Sequence, residues 1–391
     1  MKKYDYLIVG SGLFGATFAF MAKQQGKRCL VIDKREHLGG NIYCENIEGI
    51  NVHKYGAHIF HTSNKRVWDF VNSFVPFNNY TNQPVANYKG RMYNLPFNMN
   101  TFYQMWGTAT PAEAMEHIER QRAEATQGLF TTDDNGNRHQ RKPRNLEEQA
   151  LTLVGRDVYE RLIKEYTEKQ WGRKCCDLPP FIIQRLPIRF TFDNNYFNDL
   201  YQGIPCGGYN KLTEKLLQGC DCLTGTDFFR DKSIAGGPLR ERWHNVAERL
   251  VYTGPLDEYF HFCHGRLDWR TVTFKTRTEN TPNYQGNAVV NYTSHEVPYT
   301  RIIEHKHFET FGNHVYDNPK TVVSEEYSTE YHEGMEPYYP VNDDRNNAIA
   351  ELYRDMAAKE TGVIFGGRLA QYRYYDMAPV IEAAMACFEN E

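Results

Sequence analysis

The sequence predicts an α/β protein: a discontinuous dinucleotide-binding domain with an inserted α-helical domain and an antiparallel β-sheet domain. Three observations predict it. The first forty residues run strand, glycine turn, helix, strand. Residues 98–172 carry helical apolar spacing, and 269–278 and 287–293 alternate with period two.

The opening is the most specific stretch. Tyr4–Val9 is an apolar strand, followed by the turn Gly10-Ser11-Gly12-Leu13-Phe14-Gly15 and an amphipathic helix closed by Gly26. Cys29–Ile32 is a second strand ending on Asp33. G-x-G-x-x-G between strand and helix, with an acid about twenty positions on, is the Rossmann-like dinucleotide fingerprint. The glycines let the backbone approach a pyrophosphate, the helix N-terminus offers it N–H groups, and Asp33 can accept from ribose hydroxyls. The bland alternative is a tight turn in an unrelated α/β domain. Met1-Lys2-Lys3 and the apolar run behind it also resemble a secretory signal, but Asp5 and three glycines interrupt that pattern.

Composition narrows the class. With 391 residues the chain holds two or three domains. Its 45 basic and 49 acidic side chains nearly balance, which points neither to nucleic acid nor to a membrane surface. No apolar run reaches membrane-spanning length. Nine scattered cysteines lack zinc spacing and read as buried or idle thiols of a reducing cytoplasm, so neither metal nor disulfide is expected. The 27 tyrosines suit a core and also a site that stacks and hydrogen-bonds a polar ring ligand.

Taken in order, Leu38-Gly39-Gly40-Asn41 places a second glycine pair past the second strand, as expected where the nucleotide is FAD. Tyr55-Gly56-Ala57-His58-Ile59-Phe60-His61 puts His58 on a glycine loop facing the cofactor, or else in the core. Ser63 can cap a helix through Phe74. Residues 79–97 alternate and carry prolines, which reads as edge strands, with Asn82 and Gln83 as polar pocket candidates. The helical stretch is interrupted at 131–144 by a polar surface loop, and Asn145 with Glu148 forms a capping-box-like restart. A helix over 157–170 puts Thr167 and Trp171 on one face at its end, where Trp171 is either packing or a platform for a base. Residues 177–189, with Pro179-Pro180 and Arg185, read as an ordered but mobile loop. Strands over 222–229 and 249–254 return to the first domain. Arg301 beside aromatics suits phosphate, and Glu326 and Tyr339 lie beyond the sheet. Val363–Phe365, a glycine pair and a helix from Met377 with Asp376 as N-cap close the chain; such a helix N-terminus would stabilise negative charge on a flavin pyrimidine.

These motifs, together with Asn94-Leu95-Pro96-Phe97-Asn98-Met99 and residues 166–172, 193–197, 298–308, 337–343 and 365–377, resemble the bacterial UDP-galactopyranose mutase family across nearly the whole chain. The resemblance implies a cytoplasmic flavin-dependent isomerase of cell-envelope polysaccharide synthesis. It would interconvert UDP-galactopyranose and UDP-galactofuranose by attack of reduced FAD N5 on the anomeric carbon, with no net redox change. UDP-galactose is the implied substrate; the resemblance also implies an external reductant for the flavin and a homodimer. Arg185 and Arg301 would neutralise the diphosphate, with His58 as the third catalytic candidate. Asn82, Tyr166, Thr167, Trp171, Tyr196, Asn291, Tyr339 and Tyr374 would complete the substrate contacts. Gly10, Gly12, Phe14, Gly15, Asp33, Gly39, Gly40, Asn41, His58, Ile59, Arg368, Tyr375, Asp376, Met377, Ala378, Pro379 and Val380 would hold FAD, with Phe228 on its adenine side. Glu326 and Asp376 match family acids near the site. Asp33 is shorter than the glutamate common there. The implied domains are 1–78, 202–258 and 336–391 for FAD; 98–190, helical; and 79–97, 191–201 and 259–335, the sheet. Two alternatives stay open: a flavin oxidoreductase of the amine-oxidase type, and a flavin-free carrier like the GDP-dissociation inhibitors.

Overall fold

A computed structural model describes residues 3–132, 138–183 and 188–391. The chain divides into two compact units. One comprises Met1–Tyr80, Asp199–Thr271 and Tyr331–Glu391; the other comprises Thr81–Asn198 and Val272–Glu330. The helices of 81–198 and the sheet strands of 81–198 and 272–330 thus share one unit.

The first unit is built on a parallel sheet in the order Asp221–Leu223, Cys29–Ile32, Tyr4–Val9, Ala247–Tyr252, Val363–Phe365. Cys29–Ile32 and residues 6–9 are apolar without alternation because both faces are covered. Leu7, Ile8, Val31 and Ile32 expose nothing, each worth about 1.5–3 kcal/mol of burial. On one face the helix Leu13–Gln24 sets Phe18 edge-on against Tyr6, and Phe388 of the last helix, Met377–Glu389, closes on Phe18 at 5.3 Å. On the other face Leu7, Leu30, Leu250 and Tyr252 join Tyr259, Phe260 and Tyr353 in an aromatic core. Gly26, in the left-handed region, ends the first helix through its N–H on Lys23 O. Tyr4–Val9 lies between Cys29–Ile32, the strand that follows it directly, and Ala247–Tyr252, from much later in the chain. The chain order reverses there, and ligands of open α/β sheets bind at that switch point.

In the second unit the sheet runs from residues 272–279 through Thr321–Glu330, Arg301–Glu304, Val289–Tyr292 and Val85–Tyr88 to Arg91–Asn94. Arg301–Glu304 is antiparallel to both Thr321–Glu330 and Val289–Tyr292, and Val85–Tyr88 to Arg91–Asn94, whereas Val289–Tyr292 and Val85–Tyr88 are parallel. Val85–Tyr88 is therefore an interior strand, and of the 79–97 segment only Arg91–Asn94 is an edge. Helices Met99–Trp106, Pro111–Gln127 and Leu146–Val154 bury Phe102, Ile118, Leu146 and Val154 in a separate cluster.

Several local expectations change. The polar stretch at 131–144 contains two paired short strands, Phe130–Thr132 with Arg138–Gln140. The helix Lys65–Phe74 is capped by Asn64, whose side chain accepts from Arg66 N, while Ser63 Oγ donates to Asp199. Asn145 does cap its helix, but Glu148 turns to Arg141 instead of closing the box. The helix over 157–170 contains a wide turn at Tyr159–Ile163 before Lys164–Trp171. The returning strand at 222–229 is only Asp221–Leu223.

Candidate active site

In the first unit the two glycine loops meet back to back. A Cβ on Gly40 would sit 2.9 Å from Gly12 Cα, one on Gly15 2.1 Å from Gly10 O, and one on Gly10 2.1 Å from Thr253 Oγ1. Gly10, Gly39 and Gly40 all have positive φ. Side chains are excluded, which leaves bare backbone at the N-terminus of Leu13–Gln24, and no side chain caps that helix. This cradle fits a dinucleotide pyrophosphate. Asp33 orders it: one carboxylate oxygen accepts from Ser11 N at 2.9 Å and Ser11 Oγ at 2.5 Å, the other from Arg35 N at 3.0 Å. Ser11 Oγ in turn accepts from Gly39 N at 3.1 Å. Asp33 therefore works mainly on the turn itself, a use the ribose expectation missed. Asn41 Oδ1 accepts from Arg35 Nη2.

Phe14 joins the first motif to the last. Its ring lies where a Cβ on Gly366 would be, at 2.0 Å. Beyond that glycine pair, Arg368 Nη2 donates to Pro337 O; burial pushes its guanidinium below the usual range, with Tyr339, Tyr338 and Tyr374 opposing the shift. Tyr339 and Tyr374 stack at 6.1 Å, and Tyr374 hydroxyl donates to Asp376 Oδ1 at 3.0 Å. Asp376 stands at the N-cap position of Met377–Glu389, but its carboxylate serves Tyr374 and does not cap. The first-turn N–H groups of Met377, Ala378 and Val380 thus gain no side-chain cap, Pro379 having none to offer. Tyr375 hydroxyl donates to Gln371.

His58 Nδ1 lies 2.7 Å from Gly56 O, so that nitrogen carries the proton. Its N–H reaches His53 and its carbonyl accepts from Tyr209; Ile59 beside it is half-buried. Phe228 is 3 % exposed and packed against Phe229 and Tyr252. Sequence reasoning also passed over Arg270, a buried arginine paired in register with Tyr339.

In the second unit three candidates form a row. Asn291, Arg301 and Glu326 are register partners on adjacent strands. Arg301 Nε donates to Glu326 Oε1 at 2.8 Å, and Thr300 Oγ1 donates to the same oxygen at 3.2 Å. Glu326 is 3 % exposed. The buried Asn291 Oδ1 has no partner among the described residues, an acceptor set for a donor such as a hydroxyl. Buried Asn82 accepts at its carbonyl from Tyr196 N at 2.8 Å, and Tyr196 is exposed. On Lys164–Trp171, Thr167 is buried, Tyr166 half-buried, and Trp171 packs partly on the helical cluster. Arg185 lies outside the described residues. Among those described, no helix is long and apolar enough to cross a membrane.

Comparison with known proteins agrees with this geometry. The family model for UDP-galactopyranose mutase matches residues 161–374, and that for an NAD(P)-binding Rossmann-like domain matches 8–74. A dTDP-fucopyranose mutase of Escherichia coli is 38% identical over 97% of this chain and 96% of its own. A probable UDP-galactopyranose mutase of Klebsiella pneumoniae is 36% identical over 98% and 94%. The fold matches a crystal structure of reduced UDP-galactopyranose mutase with a TM-score of 0.71, at 14% identity over 100% of this chain and 94% of that one. Putrescine oxidase shares the fold more distantly, at a TM-score of 0.54 and 10% identity over 99% and 98%. With a family model over more than half its length and relatives above 30% identity end to end, the chain belongs to the UDP-galactopyranose mutase family of flavin-dependent isomerases.

Proposed function

We propose that the chain interconverts UDP-galactopyranose and UDP-galactofuranose on reduced FAD without net redox change. The observation that carries this reading is the Asn291–Arg301–Glu326 row: a guanidinium fixed by a nearly buried carboxylate, beside an unsatisfied amide oxygen. An enzyme of apolar amines needs no such anion site.

Reduced flavin, when bound, supplies an electron-rich nitrogen nucleophile. The residues that would hold it are Gly10, Gly12, Phe14, Gly15, Gly39 and Gly40 at the pyrophosphate, with Asp33 and Asn41 behind them. His58, Ile59, Arg368 and 375–380 would lie toward the ring, where the helix N-terminus favours negative charge. Arg301 would neutralise the diphosphate as it leaves and returns, and Glu326 would keep its planar face in one orientation. Arg185 would add a second guanidinium. Asn82, Tyr166, Thr167, Trp171, Tyr196 and Asn291, with Tyr339 and Tyr374, would contact the nucleoside and sugar. An external reductant, a homodimer and a cytoplasmic setting complete the proposal.

A second reading has a specific basis. The relative named for dTDP-fucopyranose is as similar as the one named for UDP-galactopyranose. Both are nucleoside diphosphate hexopyranoses, and the same anion site serves either. Measuring kcat/KM of reduced protein on UDP-galactofuranose and dTDP-fucofuranose separates them. A clear preference for the first supports the proposal; preference for the second reassigns the substrate.

A further inference from the structure

Within the second unit, the helix Lys164–Trp171 carries Tyr166, Thr167 and Trp171, and the strands Val289–Tyr292 and Arg301–Glu304 carry Asn291 and Arg301. Between these strands runs the segment 293–300. One side chain joins the helix to it. Lys169 Nζ lies 2.6 Å from Tyr292 O, 2.9 Å from Ser294 O, 3.3 Å from Val297 O and 2.8 Å from Tyr299 O.

Four carbonyls around one ammonium are more acceptors than its three protons, so the charge is shared over the whole connection. Each contact is a charge-assisted hydrogen bond to backbone, and together they fix the path of the chain directly after Asn291 and directly before Arg301. Burial pushes the amine down to about 8, with Glu165 opposing, so it is still an ammonium at neutral pH. Its neighbours reinforce the tie. His295 N donates to Glu165 at 2.5 Å, His295 Nε2 meets Glu168 at 3.0 Å, and Ser328 Oγ donates to Gln170 O at 2.7 Å. These bonds tie the same helix to His295 and Ser328 on either side of the Lys169 contacts.

We infer that Lys169 is a positioning residue: its ammonium sets the helix bearing Thr167 and Trp171 in register with the strands bearing Asn291 and Arg301, and thereby assembles the nucleotide-diphosphate face. The inference rests on the nucleotide-sugar reading given above and names a residue that sets its geometry without touching the ligand.

A built-in control exists. Lys306, past the far end of Arg301–Glu304, is caged in the same manner by Pro282 O at 2.8 Å, Val315 O at 3.1 Å and Asn318 O at 2.8 Å, and lies beside no candidate residue. The test titrates UDP, with dTDP in parallel, into flavin-loaded wild type, Lys169→Met, Lys169→Gln and Lys306→Met, and follows melting in each. Lys169→Met is expected to weaken UDP about tenfold, and Lys169→Gln, which keeps two N–H donors, about threefold. Flavin content should stay native in both, and Lys306→Met should lower melting with native UDP affinity. If Lys169→Met does not fold, the Gln variant decides alone. Native UDP affinity in the Lys169 variants, or equal losses in Lys306→Met, overturns the inference. Wild type that binds neither UDP nor dTDP would instead sink the nucleotide reading, and the inference with it.

Discussion

Glu326 holds Arg301. The carboxylate is 3 % exposed, meets the guanidinium Nε at 2.8 Å, and comes from the register partner on the neighbouring strand. Such a contact through Nε fixes the guanidinium plane, which a single contact to a terminal nitrogen does not. Glu326→Gln is expected to keep flavin and lower kcat/KM about 10- to 100-fold, because the amide loses the charge that fixes the plane. Arg301→Ala should nearly abolish turnover and also cost about 2–4 kcal/mol, since it strands a buried carboxylate. An Arg301→Leu, Glu326→Leu double variant should regain most of that stability and none of the activity. Urea unfolding and steady-state kinetics on the four proteins check this.

The glycine cradle makes a separate prediction. A Cβ at Gly40 would meet Gly12 Cα at 2.9 Å, and its φ of +57° already disfavours a side chain. Gly40→Ala should cost about 1–2 kcal/mol and yield protein with little or no flavin. Flavin absorbance per chain after purification measures it. Full occupancy would place the pyrophosphate elsewhere.

Asp376 offers a test of a cap that does not cap. Its carboxylate accepts from Tyr374 hydroxyl and leaves the helix N–H groups alone. Asp376→Ala should therefore change stability by less than about 0.5 kcal/mol, against about 1 kcal/mol for a working N-cap. Loss of the Tyr374 anchor should raise KM. Asn64→Ala, which removes a true cap, provides the comparison.

His305 supplies a pH prediction. Burial holds it down to about 3, with Glu304 opposing, while Ser324 hydroxyl lies 2.8 Å away. Its folded value is below the ordinary 6.5, so the unfolded chain takes up a proton first as pH falls. Stability from this group is complete above about pH 6.5 and drains away toward pH 3, at about 1.4 kcal/mol per unit. Between pH 7 and 5 wild type should lose about 2 kcal/mol more than His305→Gln in urea unfolding.

Much of this fold is legible in the sequence for physical reasons. Parallel strands covered on both faces read as near-continuous apolar runs, as Cys29–Ile32 does throughout and residues 6–9 do after Asp5. What escaped is what local pattern does not encode. Ser63 and Asn64 are both competent caps, and only the position of Asp199 sends the serine elsewhere. The strands around 131–144 are short and carry no apolar alternation. The Arg301–Glu326 pair and the Lys169 cage depend on strand register and on a loop's return path, which link residues 25 and 123 to 130 positions apart. Motif spacing identified Arg301 and Asn291 individually; their arrangement in one row required the sheet.

The central claim is that sugar chemistry here runs on reduced flavin without consuming an oxidant. The direct measurement incubates the holoprotein anaerobically with UDP-galactofuranose, before and after dithionite reduction, and follows both nucleotide sugars by chromatography. Conversion to UDP-galactopyranose by the reduced protein only, with no oxygen uptake beyond that of the reduced protein without substrate when air is admitted, is the predicted result. Equal conversion by oxidised protein, or substrate-dependent oxygen consumption without ring isomerisation, would contradict it.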